Sequence, residues 1–493
     1  MLEYLKKEAN RTFTENGAVT YASTGSECLD LFATIGALRR ESDGEIIVRF
    51  MRAYTESPDM AMKILFFARD VRGGLSERRV FRVIISWLAE HVPASLRKNL
   101  AHIAGYGRYD DLLALLSTPL EAETLALLKE RFTLDMRALE TEGGAVSLLA
   151  KWLPSVNASS AATVACGRRV ARAFGLSEAA YRKALAALRA HIRIIENDLR
   201  MRDYTFDYEA QPSRALFKYR RAFMRNDGPR YREFLQKAGR GKARLHAGSV
   251  APYELVAPCL SFSNGPAMRP IAPEEALALN ATWASLPDFG GDENMLAVID
   301  TSGSMYFDAQ PLPAAVALSL GLYIAERSKG AFRNHFIEFS ARPQLIQIRG
   351  ETFADRLRYV TSFCQVANTD LEAVFDLILS AAVRNRVPQE ELPARLVIIT
   401  DMEFDACVGN ASAVNFRHAQ ARFRAHGYRL PRIVFWNVAS RSRQQPVEMN
   451  EQGVALVSGV TPNIFAMVAG GDVSPLSFMM DIIGSERYRR IAA

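Results

Sequence analysis

The stretch that most constrains this chain is Met295-Leu-Ala-Val-Ile-Asp-Thr-Ser-Gly-Ser-Met305. Its apolar run, Leu296 to Ile299, stops at Asp300, and two hydroxyl side chains follow at alternate positions, Ser302 and Ser304, around Gly303. A short continuous apolar run of this kind reads as a strand buried on both faces, the pattern of a parallel sheet covered by helices. Ligand sites in such open sheets lie at the carboxyl ends of the strands, which is where Asp300 falls. A carboxylate with two small hydroxyls offers hard oxygen ligands, suited to magnesium or manganese rather than zinc. Taken alone, Asp300 could equally be the cap of a helix.

Two later segments supply the same chemistry. Asn368-Thr369-Asp370 precedes Leu371 to Ile378, whose apolar spacing is helical, so Thr369 is expected at a helix start. Leu396-Val-Ile-Ile-Thr400 is a β-rich run that ends at Asp401. A plain helix cap for Thr369 and a turn residue for Asp401 are the bland alternatives. Taken in this order, Asp300, Ser302, Ser304, Thr369 and Asp401 resemble the metal-ion-dependent adhesion site of von Willebrand factor A domains. The resemblance implies a Mg2+ (or Mn2+) ion held by these five residues, directly or through water. It also implies an open position for an oxygen ligand, typically an Asp or Glu of a protein partner. Glu403 and Asp405 flank Asp401 and leave open an acidic, nuclease-like cluster, hence a metal-dependent hydrolase. A phosphate-binding Gly-x-x-x-x-Gly-Lys loop, a Gly-x-Ser-x-Gly elbow and a His-Glu-x-x-His pair are all missing, so the expectation is a binding protein, not an enzyme.

A chain of 493 residues exceeds one ordinary core, so it should divide, here into residues 1–290 and 291–493. With 49% hydrophobic and 23% charged residues, no long apolar run and no signal-peptide core, it reads as a cytoplasmic protein with no membrane partner. The five cysteines are scattered, which argues against a disulfide framework or a zinc site.

Charge divides the two parts. Residues 1–290 carry 41 Lys and Arg against 33 Asp and Glu, whereas residues 291–493 carry 20 against 21. From Gly167 to Arg244 the balance is 20 basic to 8 acidic, with Tyr and Phe interleaved. Such a stretch is the electrostatic footprint of a nucleic-acid binder, or else the solvated surface of a helical array. Its candidate phosphate contacts are Arg168, Arg169, Arg172, Arg214, Lys218, Arg220, Arg221, Arg225, Arg240, Lys242 and Arg244. Tyr219, Phe223, Tyr231 and Phe234 could stack unpaired bases, although for Phe223 and Phe234 a core position is the preferred reading. The flexible Gly239-Arg-Gly-Lys-Ala-Arg244 is the best single loop for a backbone phosphate.

From Gly44 to Asp203 the apolar spacing is helical, with segments at 46–56, 58–70, 76–91, 95–104, 110–116, 121–140, 145–153, 159–174 and 178–197. Ser76 is expected to cap the third of these. Beyond a Pro- and Gly-broken linker at 264–291, strands near 296–300, 332–339, 345–348, 395–400, 431–437 and 454–458 alternate with helices at 312–329, 371–384, 413–426 and 475–485. That alternation predicts a doubly wound, mainly parallel sheet.

Four short motifs are not generic helix: Arg69-Asp-Val-Arg-Gly-Gly74, Tyr106-Gly-Arg-Tyr-Asp-Asp111, Lys151-Trp-Leu-Pro-Ser155 and Ala222-Phe-Met-Arg-Asn-Asp227. On residues alone, the arginines around Gly73 and Gly74 could pair with Asp70 and Glu77. Together the motifs resemble the uncharacterised Ro-related family of plants and giant viruses, itself similar to the TROVE module of the Ro autoantigen. The resemblance implies a HEAT-like helical-repeat domain, ring-shaped in Ro proteins, followed by a doubly wound (Rossmann-like) von Willebrand A domain. The sequence leaves ring closure open. It further implies binding of noncoding or misfolded RNA, single-stranded or structured, on the basic helical domain. A protein-only scaffold without RNA is the alternative.

Overall fold

Polar caps and early prolines set the helices. In the computed structural model, which describes all residues except 193, 262–266, 290–292, 307–310, 341, 365–368, 406–414 and 465–473, Ser42, Ser160 and Ser177 each accept the N–H three residues on. They start the helices Asp43–Glu56, Ala161–Phe174 and Glu178–His191. Pro58, Pro93 and Pro273 open Pro58–Arg69, Pro93–Asn99 and Pro273–Ala284 in the first turn, where a missing N–H costs nothing. Arg79–His91, Glu121–Leu139, Ser213–Asn226 and Gly228–Gly239 complete the larger helices of this part.

Three boundaries depart from the sequence reading for local reasons. Ser76 has φ of 58° and does not cap the following helix, which begins at Arg79. The expected helix at 145–153 shrinks to Leu149–Trp152, because the chain first folds back against the preceding helix at Gly144, where a Cβ would lie 2.1 Å from Ala138 O. The segment 178–197 breaks at Ile192 into Glu178–His191 and Ile195–Met201.

The second part is built on a sheet. Short strands β1 (Arg11–Phe13) with β2 (Val19–Tyr21), and β3 (Leu260–Ser261) with β4 (Ala267–Met268), form two separate hairpin pairs. The main sheet comprises β5 (Met295–Asp300), β6 (His335–Phe339), β7 (Gln344–Gln347), β8 (Arg395–Thr400), β9 (Arg432–Asn437) and β10 (Val454–Ser458). Its order is β10-β9-β8-β5-β6-β7, all parallel except β6 with β7. All six positions of β5 and of β8 are buried, as expected for central strands covered on both faces. Alternation sends Ala297, Ile299, Val397 and Ile399 to one core, and Leu296, Val298, Leu396 and Ile398 to a second beneath Leu371–Asn385 and Asn415–Ala425. The helix Phe353–Thr361, capped by Thr352, adds an element between β7 and Leu371–Asn385 that the strand–helix alternation does not predict.

The first core is shared with the helical part. Phe32 stacks on Phe67 at 5.3 Å and meets Phe478 edge-on at 6.1 Å. Gly36 lies so close to the end of β10 that a Cβ there would come within 2.8 Å of the Ser458 carbonyl. Among the described residues no helix is long and apolar enough to cross a membrane, and the described cysteines are free, Cys407 lying outside them.

Candidate metal centre and basic helical face

Asp300 ends β5 and Asp401 follows β8, its neighbour in the sheet, so the two carboxylates come together at the carboxyl edge. Both are buried, at 0% and 2% exposure. Ser302 N–H and Thr400 Oγ1 donate to the two oxygens of Asp300 at 2.8 and 2.6 Å. Ser302 and Ser304 place their hydroxyls 3.0 Å apart. Thr369 is also buried. Its hydroxyl donates to Glu403 O at 2.8 Å, while the helix cap next to it is Asp370, which accepts Ala373 N–H at 2.9 Å. Capping therefore falls to Asp370 and leaves Thr369 facing the Asp401 loop. Burial and the charge of Asp401 raise the Asp300 carboxyl above the ordinary range. Burial also raises Asp401, partly offset by hydrogen bonding from Ser304 and by Arg441 at 3.0 Å.

Two buried carboxylates against one guanidinium, with converging hydroxyls, form a donor set that fits a hard divalent cation. Among the described residues no three His, Cys, Asp or Glu side chains gather as a metal cluster; hydroxyls would supply the remaining donors here. The flanking acids do not enlarge the set. Glu403 is buried and its carboxylate accepts Glu15 N–H at 2.8 Å, Ser442 Oγ at 2.6 Å and Gln444 Nε2 at 2.8 Å. Asp405 pairs its backbone with Gly17 and is raised chiefly by burial.

The basic residues fall into two groups. Arg168 pairs with Glu178, Arg169 with Glu121, Arg214 with Glu254, and Arg220 and Arg221 with Glu275. Lys218 sits 4.7 Å from the Tyr219 ring. Arg172, Arg225, Arg240, Lys242 and Arg244 are exposed, and no acidic partner stands against their side chains among the described residues. The interleaved aromatics are core. Phe223 and Phe234 are buried, as preferred from the sequence; Tyr231 is buried too, packed with them around Tyr208, and Tyr219 is half-buried and donates to Glu196 at 3.0 Å. Base stacking on Tyr231 is thereby excluded in this conformation.

The first three motifs make structural contacts. Arg69 pairs with Asp111 at 2.7 Å, both buried, and Arg82 reaches the same carboxylate at 2.8 Å. Glu77 pairs with Arg39, and Arg72 donates to Gly105 O, so neither takes the partner suggested by proximity in sequence. Gly73 and Gly74 leave room for Arg487 and for the Phe67 carbonyl. Asp70, with no exposure, receives Arg487 and the Tyr488 hydroxyl from the far end of the chain. Trp152 packs under Arg108 at 3.9 Å.

A feature missed by sequence reasoning lies at the opposite edge of the sheet. A polar cavity of about 320 Å3 is lined by Arg327, Lys329, Arg333 and Arg356 with Glu326 and Asp288. These residues are spread over two helices and two loops, so no motif marks them.

Residues 14–134 and 122–286 match the model of the family described as Domain of unknown function (DUF2828), more than half of the chain. The chain belongs to the DUF2828 family. Residues 294–474 match a second model, described as Domain of unknown function (DUF7788). The uncharacterized protein L728 of Acanthamoeba polyphaga mimivirus is 28% identical over 516 residues, covering 96% of this chain and 87% of that one. A giant-virus relative is what the motif resemblance implied. The crystal structure of the Deinococcus radiodurans RO (RSR) protein is similar over 94% of this chain and 100% of that one, at 16% identity and a TM-score of 0.47.

Proposed function

We propose that this DUF2828 member is a Ro-like RNA-binding protein, not an enzyme. It holds noncoding or misfolded RNA on its basic helical part and a carboxylate-bearing protein segment at a Mg2+ or Mn2+ centre formed by Asp300, Ser302, Ser304, Thr369 and Asp401. A divalent ion held by these residues would supply concentrated positive charge to which a carboxylate could bind. The observation that carries the RNA reading is the set of exposed cations without acidic partners at Arg172, Arg225, Arg240, Lys242 and Arg244, within a stretch of 20 basic and 8 acidic residues. With Phe223, Tyr231 and Phe234 buried and Tyr219 half-buried, recognition rests on phosphate charge, which positions a strand without reading its sequence.

The test is an RNA titration of the full chain across a salt series. Log affinity for single strands should fall by about 0.7 per neutralised phosphate for each tenfold rise in salt. Charge reversal at Arg240, Lys242 and Arg244 should flatten the slope and weaken all sequences alike. Absent or salt-insensitive binding would favour the protein-only scaffold.

A further inference from the structure

One rim of the donor set, at Thr369 and the loop after Asp401, is lined by a segment from the start of the chain. Thr14 Oγ1 donates to Phe404 O at 2.5 Å, and Glu15 N–H to the Glu403 carboxylate at 2.8 Å. The Asn16 amide donates to Glu403 O at 2.7 Å and to Thr369 Oγ1 at 3.4 Å. Gly17 bridges to Asp405, and further on Tyr21 and Gln445 exchange backbone hydrogen bonds at 3.1 and 2.8 Å. Thr14, Ala18, Val19, Thr20 and Tyr21 are all buried by this seating. The carboxylate of the segment, Glu15, remains half exposed at 56%. It lies 3.0 Å from Arg441, whose other terminal nitrogen is 3.0 Å from Asp401. One guanidinium thus holds a carboxylate of the donor set and a carboxylate of the covering segment side by side.

We infer that Glu15 is the carboxylate that takes the open position of this centre, so that residues 14–21 are a built-in cover closed through the bound cation. The inference rests on the reading of the centre as a divalent-cation site. Three features favour an occupant from the same chain. The backbone at residues 14–18 is fixed by bonds that do not involve the Glu15 side chain, which makes rotation of that side chain the motion the inference calls for. Arg441 already brings Glu15 and Asp401 to one positive charge, and a divalent ion between them would replace that charge with a larger one. The same segment already engages a member of the donor set, the Asn16 amide donating to Thr369 Oγ1 at 3.4 Å. The cover and a protein partner therefore compete for one position, which turns the centre into a site open only when residues 14–21 lift.

Mn2+ binding to the full chain, followed by calorimetry and by the electron paramagnetic resonance of the free ion, tests this in the wild type, Glu15→Gln and Asp300→Ala. Glu15→Gln should bind Mn2+ about tenfold more weakly, the scale of losing a supporting ligand, and Asp300→Ala should not bind it. Mn2+ should slow amide exchange at Glu15, Ala18 and Tyr21 in the wild type and not in Glu15→Gln. Half exposure makes the Gln variant compatible with folding. If Glu15→Gln binds Mn2+ as the wild type does and exchange over 14–21 ignores the ion, while Asp300→Ala has lost it, the cover is wrong and the metal centre stands. If Asp300→Ala binds as the wild type does, the centre itself falls, and the role of Glu15 with it.

Discussion

The C-terminal tail reaches the helical part through Asp70, a fully buried carboxylate that receives Arg487 and Tyr488, with Tyr106 stacked on Tyr488 at 5.8 Å. The N-terminal segment reaches the sheet through Thr14, Glu15 and Asn16, whose bonds go to carbonyls and one carboxylate at the rim of the donor set. Both ends of the chain cross to the other part of the molecule, but the first contact is ionic, on a fully buried carboxylate, and the second is a set of separable hydrogen bonds. A buried ion pair loses several kcal/mol when one partner is removed, whereas a neutral hydrogen bond contributes about 1 kcal/mol net. The first is suited to a permanent joint and the second to a cover that can open.

Removing the joint should therefore have the largest effect. Arg487→Ala leaves Asp70 buried without its cation, at a cost of about 3 kcal/mol, near the lower end for broken buried pairs because Arg487 is itself 39% exposed. Thermal or denaturant unfolding of the full chain measures it. Asn16→Ala, at the cover, should cost about 1 kcal/mol by the same measurement. A larger loss for Asn16→Ala than for Arg487→Ala would reverse the assignment of joint and cover.

A smaller, pH-dependent effect distinguishes a third crossing. Glu45, on the helix Asp43–Glu56, lies 2.7 Å from Arg49 and 2.5 Å from Arg443 of the loop after β9. Hydrogen bonding from Arg443, working against partial burial, holds its carboxyl down at about 2. The folded value lies below the unfolded one of about 4.3, so the stabilisation is present above that pH and is lost as pH falls toward about 2. The difference in melting temperature between wild type and Glu45→Gln should shrink across that window. A difference constant through it would mean that the pair contributes nothing.

How much of this was legible in the sequence follows from the range of the interactions. β8 and β10 fall within the expected limits, and β5 begins one residue before, because apolar runs and their polar ends are local signals. The candidate metal ligands could be picked out because each ends or follows a strand or precedes a helix, positions that a parallel sheet brings to one edge. The cover was illegible: nothing in Thr14-Glu-Asn-Gly17 announces a partner nearly 400 residues away, and its polar composition reads as an ordinary turn. The joint was misread for the same reason. Asp70 sits beside arginines in sequence, yet its partner is Arg487, while Arg69 and Arg72 turn elsewhere. The interleaved aromatics showed how charge patterning overstates a binding face: rings spaced along amphipathic helices belong to the core unless the structure exposes them.

The smallest expected effect concerns the two ligands together. Among the described residues the ion pairs of the basic stretch go to Glu121, Glu178, Asp227, Glu233, Glu254, Glu274 and Glu275, all in the helical part. Those around the donor set go to residues 14–17 and 441–444. The two sets share no member, and residues 291–493 carry no charge excess to attract phosphate. Coupling between sites requires an element whose equilibrium both ligands bias, and among the described residues no hydrogen bond or ion pair joins residues 14–21 to the basic stretch. Chelating the divalent ion should therefore leave RNA affinity within about a few-fold, less than the 1.4 kcal/mol of a tenfold change, while the cover loosens in amide exchange. Direct bridging of the ion to an RNA phosphate is the physical rival, since magnesium binds phosphate oxygens well. RNA titrations with and without chelator, in protein shown to remain folded, decide between them: a loss of about tenfold or more would place RNA at the metal and join the two regions into one site.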